Sequence, residues 1–138
     1  MADKRIRWGW LVLAALVAGW LYWMTLRPNL AVATDLAPLT TSAARRGISA
    51  YWLIDIAGNM VVFAPLGACV ALALETRSLR TRLLLATLCG LLLSASIEWL
   101  QLAIPDRITA WEDLMLNAAG ALLGALGACG VQFVLKNK

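Results

Sequence analysis

Four uninterrupted apolar stretches constrain this chain more than any other feature of its sequence. They run over about residues 8–26, 56–74, 83–104 and 114–135, and each contains 19 to 22 residues. A helix of that length can cross the ~30 Å hydrocarbon core of a bilayer. Only 14% of the 138 residues are charged, whereas about a quarter are charged in soluble domains. The sequence therefore predicts an all-α, polytopic integral membrane protein with four transmembrane helices, forming one domain over residues 1–138.

Basic residues concentrate at one end of the predicted bundle. Of the twelve Lys and Arg, eight lie in the N-terminal tail, the connection between the second and third spans, and the C-terminus. Connections rich in Lys and Arg stay in the cytoplasm, so we expect both termini to be cytoplasmic. The chain is then a multi-pass protein of the cell (inner) membrane. Its net charge of +4 is expected to set topology and not to bind nucleic acid.

Only one connection between the spans is long, and it covers residues 27–55 on the outer side. Pro28, Pro38 and the run Thr40-Thr41-Ser42 predict that its first half is irregular. Ala31-Val32-Ala33 resembles a signal-peptide cleavage site, but the preceding apolar stretch is longer than the ~7–15 residues of a signal-peptide core. We therefore expect the first span to remain as an uncleaved transmembrane helix.

Polar side chains inside the predicted spans fall on single helical faces and at one depth. A charge at the centre of a span costs about 2.5–3.5 kcal/mol on insertion scales, so such positions are informative. Steps of three or four residues bring side chains to the same face of a helix. One band in the outer half of the second, third and fourth spans contains Asp55, Asn59, Glu98, Gln101, Asp113 and Asn117. The sequence therefore predicts one polar, ligand-binding pocket that faces the outside.

Two charged residues of this region suggest specific chemistry. Glu98 lies about a third of the way into its span, which indicates function, and it is the one candidate for a catalytic role. Arg107, in the outer turn, can pair with Asp113 or Glu98, or it can bind an anionic ligand through its guanidinium fork. Two interpretations are open for the amides, namely ligand binding and interhelical hydrogen bonding worth only ~0.6 kcal/mol each; the amides are Asn59, Gln101 and Asn117.

Glycines in the last span predict a packing face. Gly120, Gly124 and Gly127 follow at steps of four and three, as in closely packed transmembrane helices. This face could pack within the chain or support a homo-oligomer. The sequence contains no histidine, which excludes His-dependent zinc sites and His-based catalytic triads. No residue pattern predicts a metal site or a cofactor.

Three motifs resemble the VanZ-like membrane proteins in order and spacing, over roughly residues 55–127. They are Asp55-x3-Asn59-x3-Phe63-x-Pro65-Leu66-Gly67, Ser94-x3-Glu98-x2-Gln101, and Arg107-x5-Asp113-x3-Asn117-x2-Gly120-x3-Gly124. The founding member of that family is associated with resistance to the glycopeptide antibiotic teicoplanin. The resemblance implies a role in the cell envelope, and it implies lower antibiotic binding at the outer face of the membrane.

Three hypotheses of function follow. The first is an accessory protein of the envelope whose pocket binds a lipid-linked cell-wall precursor, an anionic lipid headgroup or a lipoglycopeptide, with membrane lipids as its partners. The second is a membrane-embedded enzyme that acts on a lipid-linked substrate, with Glu98 as general acid or base, or with the carboxylates holding Mg²⁺ or Ca²⁺ instead. The third, a transporter, is the weakest, because the polar residues stop near mid-membrane and the inner halves of the spans are expected to be apolar. Whether the protein is an enzyme stays open.

Overall fold

A computed structural model shows an all-helical chain over the described residues, which are 7–27, 29–49, 52–104 and 111–137, with the side chains of residues 29, 30 and 55 left aside. No strand occurs in these segments. The α-helices are α1 (Trp8–Thr25), α2 (Asn29–Ala44), α3 (Asn59–Ala73), α4 (Leu79–Gln101) and α5 (Trp111–Lys136), and a π-helical segment, Trp52–Gly58, leads directly into α3.

Four helical segments are long and apolar enough to cross a membrane, which confirms the prediction of four such helices. They are α1, the continuous helix Trp52–Ala73, α4 and α5. The third span begins earlier than expected because Ser78 caps its N-terminus, with the hydroxyl accepting a hydrogen bond from Thr81 N at 3.2 Å. Arg80 and Arg82, expected in a connection, therefore lie within the first turns of α4.

The first half of the outer connection is helical, so the prediction of irregular structure there is wrong. Pro38 lies inside α2, where it cannot donate a backbone hydrogen bond. The Thr40 hydroxyl contacts two carbonyls beside the proline, those of Leu36 at 3.3 Å and Ala37 at 3.1 Å. Five alanines in this short segment also favour a helix over a loop.

The helix α3 forms the centre of the bundle. It packs against α1, α4 and α5, and α5 also packs against α4. The buried side chains are mostly small, and several alanines have no exposed surface, among them Ala71, Ala86 and Ala121. Phe63 of α3 and Leu21 of α1 are the largest fully buried apolar side chains. Small residues at the contacts let helices approach closely in a lipid environment.

The two ends of the described chain meet at one end of the bundle. The backbone N–H of Arg7 donates to the carbonyl of Ala73 at 3.1 Å. The Glu75 carboxylate accepts hydrogen bonds from the Arg7 guanidinium at 2.6 Å and from the Lys136 ammonium at 2.9 Å. Since α3 and α5 both finish at this end, they run in the same direction, and α1 runs against them. We call it the termini end, and the opposite one the polar end.

Glycines make the closest helix contact of the fold. A Cβ atom on Gly120 would lie under 3.0 Å from the backbone of Met60, and one on Gly124 would meet the backbone of Ala64 in the same way. From the other side, a Cβ on Gly67 of α3 would meet the backbone of Ala121. The predicted packing face therefore contacts α3 of the same chain at two of its glycines.

Gly127 does not take part in this contact within the chain. A Cβ atom added there would meet nothing within 4 Å, and the residue is exposed. Gly127 has nearly the same angular position on α5 as Gly120, but it lies two turns further along.

Candidate functional site

The first polar pair of the site joins the beginnings of two helices at the polar end. Asn59 is the first residue of α3 and Asp113 lies in the first turn of α5. The Asn59 amide donates to Asp113 Oδ1 at 2.9 Å. A carboxylate in the first turn of a helix is also stabilised by the positive end of the helix dipole. The two predicted site residues are thus brought together.

A second polar pair lies deeper and is buried. The Asn117 amide on α5 donates to the Ser94 hydroxyl on α4 at 2.8 Å, and both side chains are less than a tenth exposed. The other side-chain atom of Asn117, Oδ1, is buried and has no hydrogen-bond partner among the described residues. An unsatisfied buried acceptor is costly, on the order of 1–3 kcal/mol, and requires an explanation. It is the group in this site most ready to accept a hydrogen bond from a ligand or a water molecule.

Gln101 ties α4 to the end of α1. Its side-chain amide donates to the backbone carbonyl of Thr25 at 2.9 Å, and the side chain is 7% exposed. One and a half turns earlier, the hydroxyl groups of Ser96 and Tyr22 form a short hydrogen bond between the same two helices. Each of the three amides predicted for the site thus makes an interhelical hydrogen bond, and ligand binding by these residues stays a prediction.

Glu98 lies between these polar pairs on α4. It follows Ser94 by four residues and precedes Gln101 by three, so the three side chains share one face of the helix. Its side chain is half-buried, and one carboxylate oxygen, Oε2, has almost no exposed surface. An acidic group at this depth is expensive to insert, and the polar neighbours on the same face lower that cost. Glu98 is therefore the strongest functional candidate of the site.

Two further predicted site residues contribute less to this picture. Asp55 lies in the π-helical segment, one helical turn before Asn59, and its side chain is outside the described part of the structure. Arg107 also lies outside the described residues, so its proposed partners stay predictions. Segments with π-helical hydrogen bonding are rare and occur frequently at functional sites.

Arg27 brings a positive charge to the polar end that the sequence interpretation did not assign to the site. It directly follows α1, donates to Asp35 Oδ2 of α2 at 2.7 Å, and has its guanidinium 4.6 Å from the centre of the Trp23 ring. Its side chain is 25% exposed. The signal was present in the sequence, since Trp23 and Arg27 are one helical turn apart.

A buried arginine at the termini end was also missed. Arg82 is 8% exposed, and its Nε donates to the carbonyl of Ala71 at 2.8 Å while a terminal nitrogen donates to Gln132 Oε1 at 2.7 Å. The expectation that the inner halves of the spans are apolar is therefore wrong. Gln132 is a single amide in an otherwise apolar stretch, and this feature of the sequence could have indicated the polar contact with Arg82. Arg82 ties α4 to both α3 and α5.

The site also has an apolar neighbour. A groove of about 300 Å³ runs along the π-helical segment and α3 and is closed on one side by Leu123 of α5. Its lining is entirely apolar, with Trp52 at the polar end and Ala64 farthest along the helix. Among the described residues, no group of three or more Cys, Asp and Glu is placed to hold a metal ion. The groove contains none of the polar site residues, but Trp52 brings it to the same end of the bundle.

Comparison with known protein families identifies a match. A model of the family VanZ/LLP1 matches residues 7–134, which is nearly the whole chain. No curated protein and no solved structure matches it. The resemblance of the three motifs is thus confirmed, and the chain belongs to the VanZ/LLP1 family.

Proposed function

From this family membership, we propose that the chain is an accessory protein of the cell envelope that binds an amphipathic ligand at its polar end. The ligand class is a lipid-linked cell-wall precursor or a lipoglycopeptide antibiotic. Both carry a large hydrogen-bonding head on a hydrocarbon tail. Binding would hold such a molecule at the outer surface of the cell membrane, as the glycopeptide resistance implied by the family requires.

The observation that carries the proposal is the position of Glu98 and Asn117 together. Interhelical bonds account for Asn59, for Gln101 and for the Asn117 amide group, but they leave Asn117 Oδ1 buried without a partner among the described residues. A half-buried carboxylate on the facing helix α4 adds an acceptor for amine or hydroxyl donors. A polar headgroup with several N–H and O–H donors can hydrogen-bond to both residues.

The apolar groove beside α3 supports the choice of an amphipathic ligand. It extends twelve residues from Trp52 to Ala64, which is about 18 Å along a helix. That length is close to the ~15 Å depth of one bilayer leaflet. A hydrocarbon tail can therefore lie in the groove while its head reaches the polar end. A purely soluble ligand would leave the groove without a role.

The test compares two carboxylates of the same end. Glu98→Gln removes the charge of the candidate residue, whereas Glu112→Gln changes an exposed carboxylate in the first turn of α5. Teicoplanin and a lipid-linked precursor are each titrated against purified protein by native mass spectrometry. We expect Glu98→Gln to weaken binding at least tenfold and Glu112→Gln to leave it within a factor of two. Equal binding by wild type and the Glu98→Gln variant, at equal expression, would refute the proposal.

The enzyme alternative is a separate outcome of the same experiment. If the bound precursor changes mass during incubation, and Glu98→Gln stops that change without weakening binding, then Glu98 acts as acid or base. Unchanged mass together with loss of binding supports the accessory role.

Location of the polar end outside the cell is part of the proposal. Single cysteines at Ser42 in α2 and at Ser78 before α4 test it, in a background where the native cysteines are serine. A membrane-impermeant maleimide applied to intact cells should label Ser42→Cys, and it should label Ser78→Cys only after permeabilisation. The reverse pattern would place both termini outside and contradict the proposal.

A further inference from the structure

A second apolar groove lies at the termini end and is separate from the proposed ligand site. It has a volume of about 520 Å³ and runs along α4, with Leu122 of α5 on its other side. Its lining on α4 includes Leu84, Leu88 and Leu91, and it begins at Arg80. The lining thus changes from one cation to hydrocarbon along a single helical face.

The dimensions of this groove match part of a lipid molecule. Arg80 and Leu91 are eleven residues apart, which corresponds to about 16 Å along the helix. Half of the hydrocarbon core of a bilayer is ~15 Å deep. Arg80 is the second residue of α4, so it lies at the end of the span, where a lipid headgroup would be. The length of the groove therefore matches the depth that an acyl chain occupies in one leaflet.

The charge at the mouth of the groove indicates which lipid would bind. Arg80 is exposed and makes no ion pair with the described carboxylates, and the same is true of Arg77 nearby. Glu75, the one acidic residue described at this end, already contacts Arg7 and Lys136. A guanidinium that makes no ion pair with a carboxylate attracts other anions. Arginine binds phosphate particularly well, because two N–H groups of its planar guanidinium donate parallel hydrogen bonds.

We propose that this groove is a binding site for an anionic phospholipid. One acyl chain lies along Leu84, Leu88 and Leu91 between α4 and α5, and the Arg80 guanidinium binds the phosphate. The site does not depend on the function proposed for the polar end. A bound acyl chain would contact both α4 and α5 along the groove, where the two helices do not fill the space between them.

The test measures lipid binding to the purified protein in detergent by native mass spectrometry. Phosphatidylglycerol and phosphatidylcholine with identical acyl chains are titrated against the wild type, Arg80→Gln and Arg77→Gln. Arg77 is the matched control, because it is exposed at the same end and does not line the groove. We expect the wild type to prefer phosphatidylglycerol, Arg80→Gln to bind it about fivefold more weakly, and Arg77→Gln to bind within a factor of two of the wild type.

A second pair of variants tests the acyl chain. Leu88→Trp fills the groove, whereas Leu85→Trp places the same bulk on α4 outside it. We expect Leu88→Trp to weaken the binding of both lipids and Leu85→Trp to change neither. Equal effects of the two arginine variants, equal effects of the two tryptophan variants, or displacement of the lipid by inorganic phosphate would each overturn the proposal.

Discussion

At the scale of single residues, this protein places polar side chains inside an apolar bundle and joins most of them in pairs. Ser94 and Asn117 form the most buried pair between α4 and α5. Interhelical hydrogen bonds of this kind contribute on average ~0.6 kcal/mol in membrane proteins and at most ~1.7 kcal/mol. The bond is thus too weak to explain by stability alone why a buried asparagine with an unpartnered oxygen is present.

The Ser94–Asn117 pair leads to a quantitative prediction. In a double-mutant cycle of Ser94→Ala and Asn117→Ala, we expect a coupling energy of about 0.6–1.7 kcal/mol. The free energy of unfolding is measured in mixed micelles. Because Asn117 Oδ1 is buried without a described partner, Asn117→Ala should cost less stability than the loss of a fully satisfied side chain. A coupling energy near zero would show that the hydrogen bond does not form in solution.

Arg82 leads to a second prediction at this scale. Its guanidinium reaches Ala71 and Gln132 with two different nitrogens, and a lysine ammonium is a single point that cannot reproduce this fork. We expect both Arg82→Lys and Arg82→Gln to lower the free energy of unfolding by about 1.5–3 kcal/mol, the usual contribution of a hydrogen bond to a charged group. Arg80→Gln, two residues away and exposed, is the control and should change stability by less than about 0.5 kcal/mol. Full stability of Arg82→Lys would contradict the argument.

The sequence grouped the polar residues on shared helical faces but could not assign their partners. Periodicity shows that Glu98 and Gln101 share a helical face, yet it does not reveal that Gln101 reaches the backbone of Thr25 on α1. Backbone acceptors have no signature in the sequence. Arg82 was missed for another reason, because an arginine near a connection is usually solvated and its burial depends on how α3 and α5 end around it.

At the scale of helices, the contact between α3 and α5 determines where the site residues lie. Gly120 and Gly124 bring α5 against the backbone of α3. The missing side chain of Gly67 likewise lets the backbone of α5 approach α3. This close approach lets the short side chains of Asn59 and Asp113 meet at the polar end. Hydropathy gave the four spans because an apolar stretch of that length has few alternatives in a membrane. The sequence analysis did not predict α2, because its proline, serine and threonine residues indicate a loop. The alanines around them favour a helix and were not taken into account.

The glycine contact predicts opposite behaviour for residues on one helix. Gly124→Ala adds a methyl group against the backbone of Ala64, so the helices must separate, and we expect a loss of about 1–3 kcal/mol in the free energy of unfolding. Gly127→Ala adds the same group in open space and should leave stability unchanged or raise it slightly, because alanine favours a helix. Similar destabilisation by both substitutions would mean that Gly127 also contacts a neighbour.

At the scale of the whole molecule, charge is distributed unequally between the two ends. The termini end holds Arg7, Glu75, Arg82 and Lys136, joined to each other or to the helices. The polar end holds Asp113, Glu98 and the Arg27–Asp35 ion pair, and the apolar bundle lies between the two ends. The termini end therefore fixes the ends of α1, α3 and α5, and the proposed ligand site lies at the opposite end of the bundle.

The ion pairs of Glu75 at the termini end predict that stability depends on pH. The hydrogen bonds from the Lys136 ammonium and the Arg7 guanidinium lower the pKa of Glu75 below its ordinary value of 4.5. A carboxyl group whose pKa is lowered by folding contributes stability above its ordinary pKa, and this contribution is lost as the pH falls through the lowered value. Both partners are more than half exposed, so each ion pair contributes at most roughly 1 kcal/mol. We expect the wild type to be more stable than the Glu75→Gln variant at pH 7, with the difference shrinking below about pH 4.5 and in high salt. Thermal unfolding of both proteins in detergent measures this difference. The other carboxylates titrate equally in the two proteins, so their contribution cancels. A difference that stays constant down to about pH 3 would show that Glu75 does not hold the two ends of the chain together.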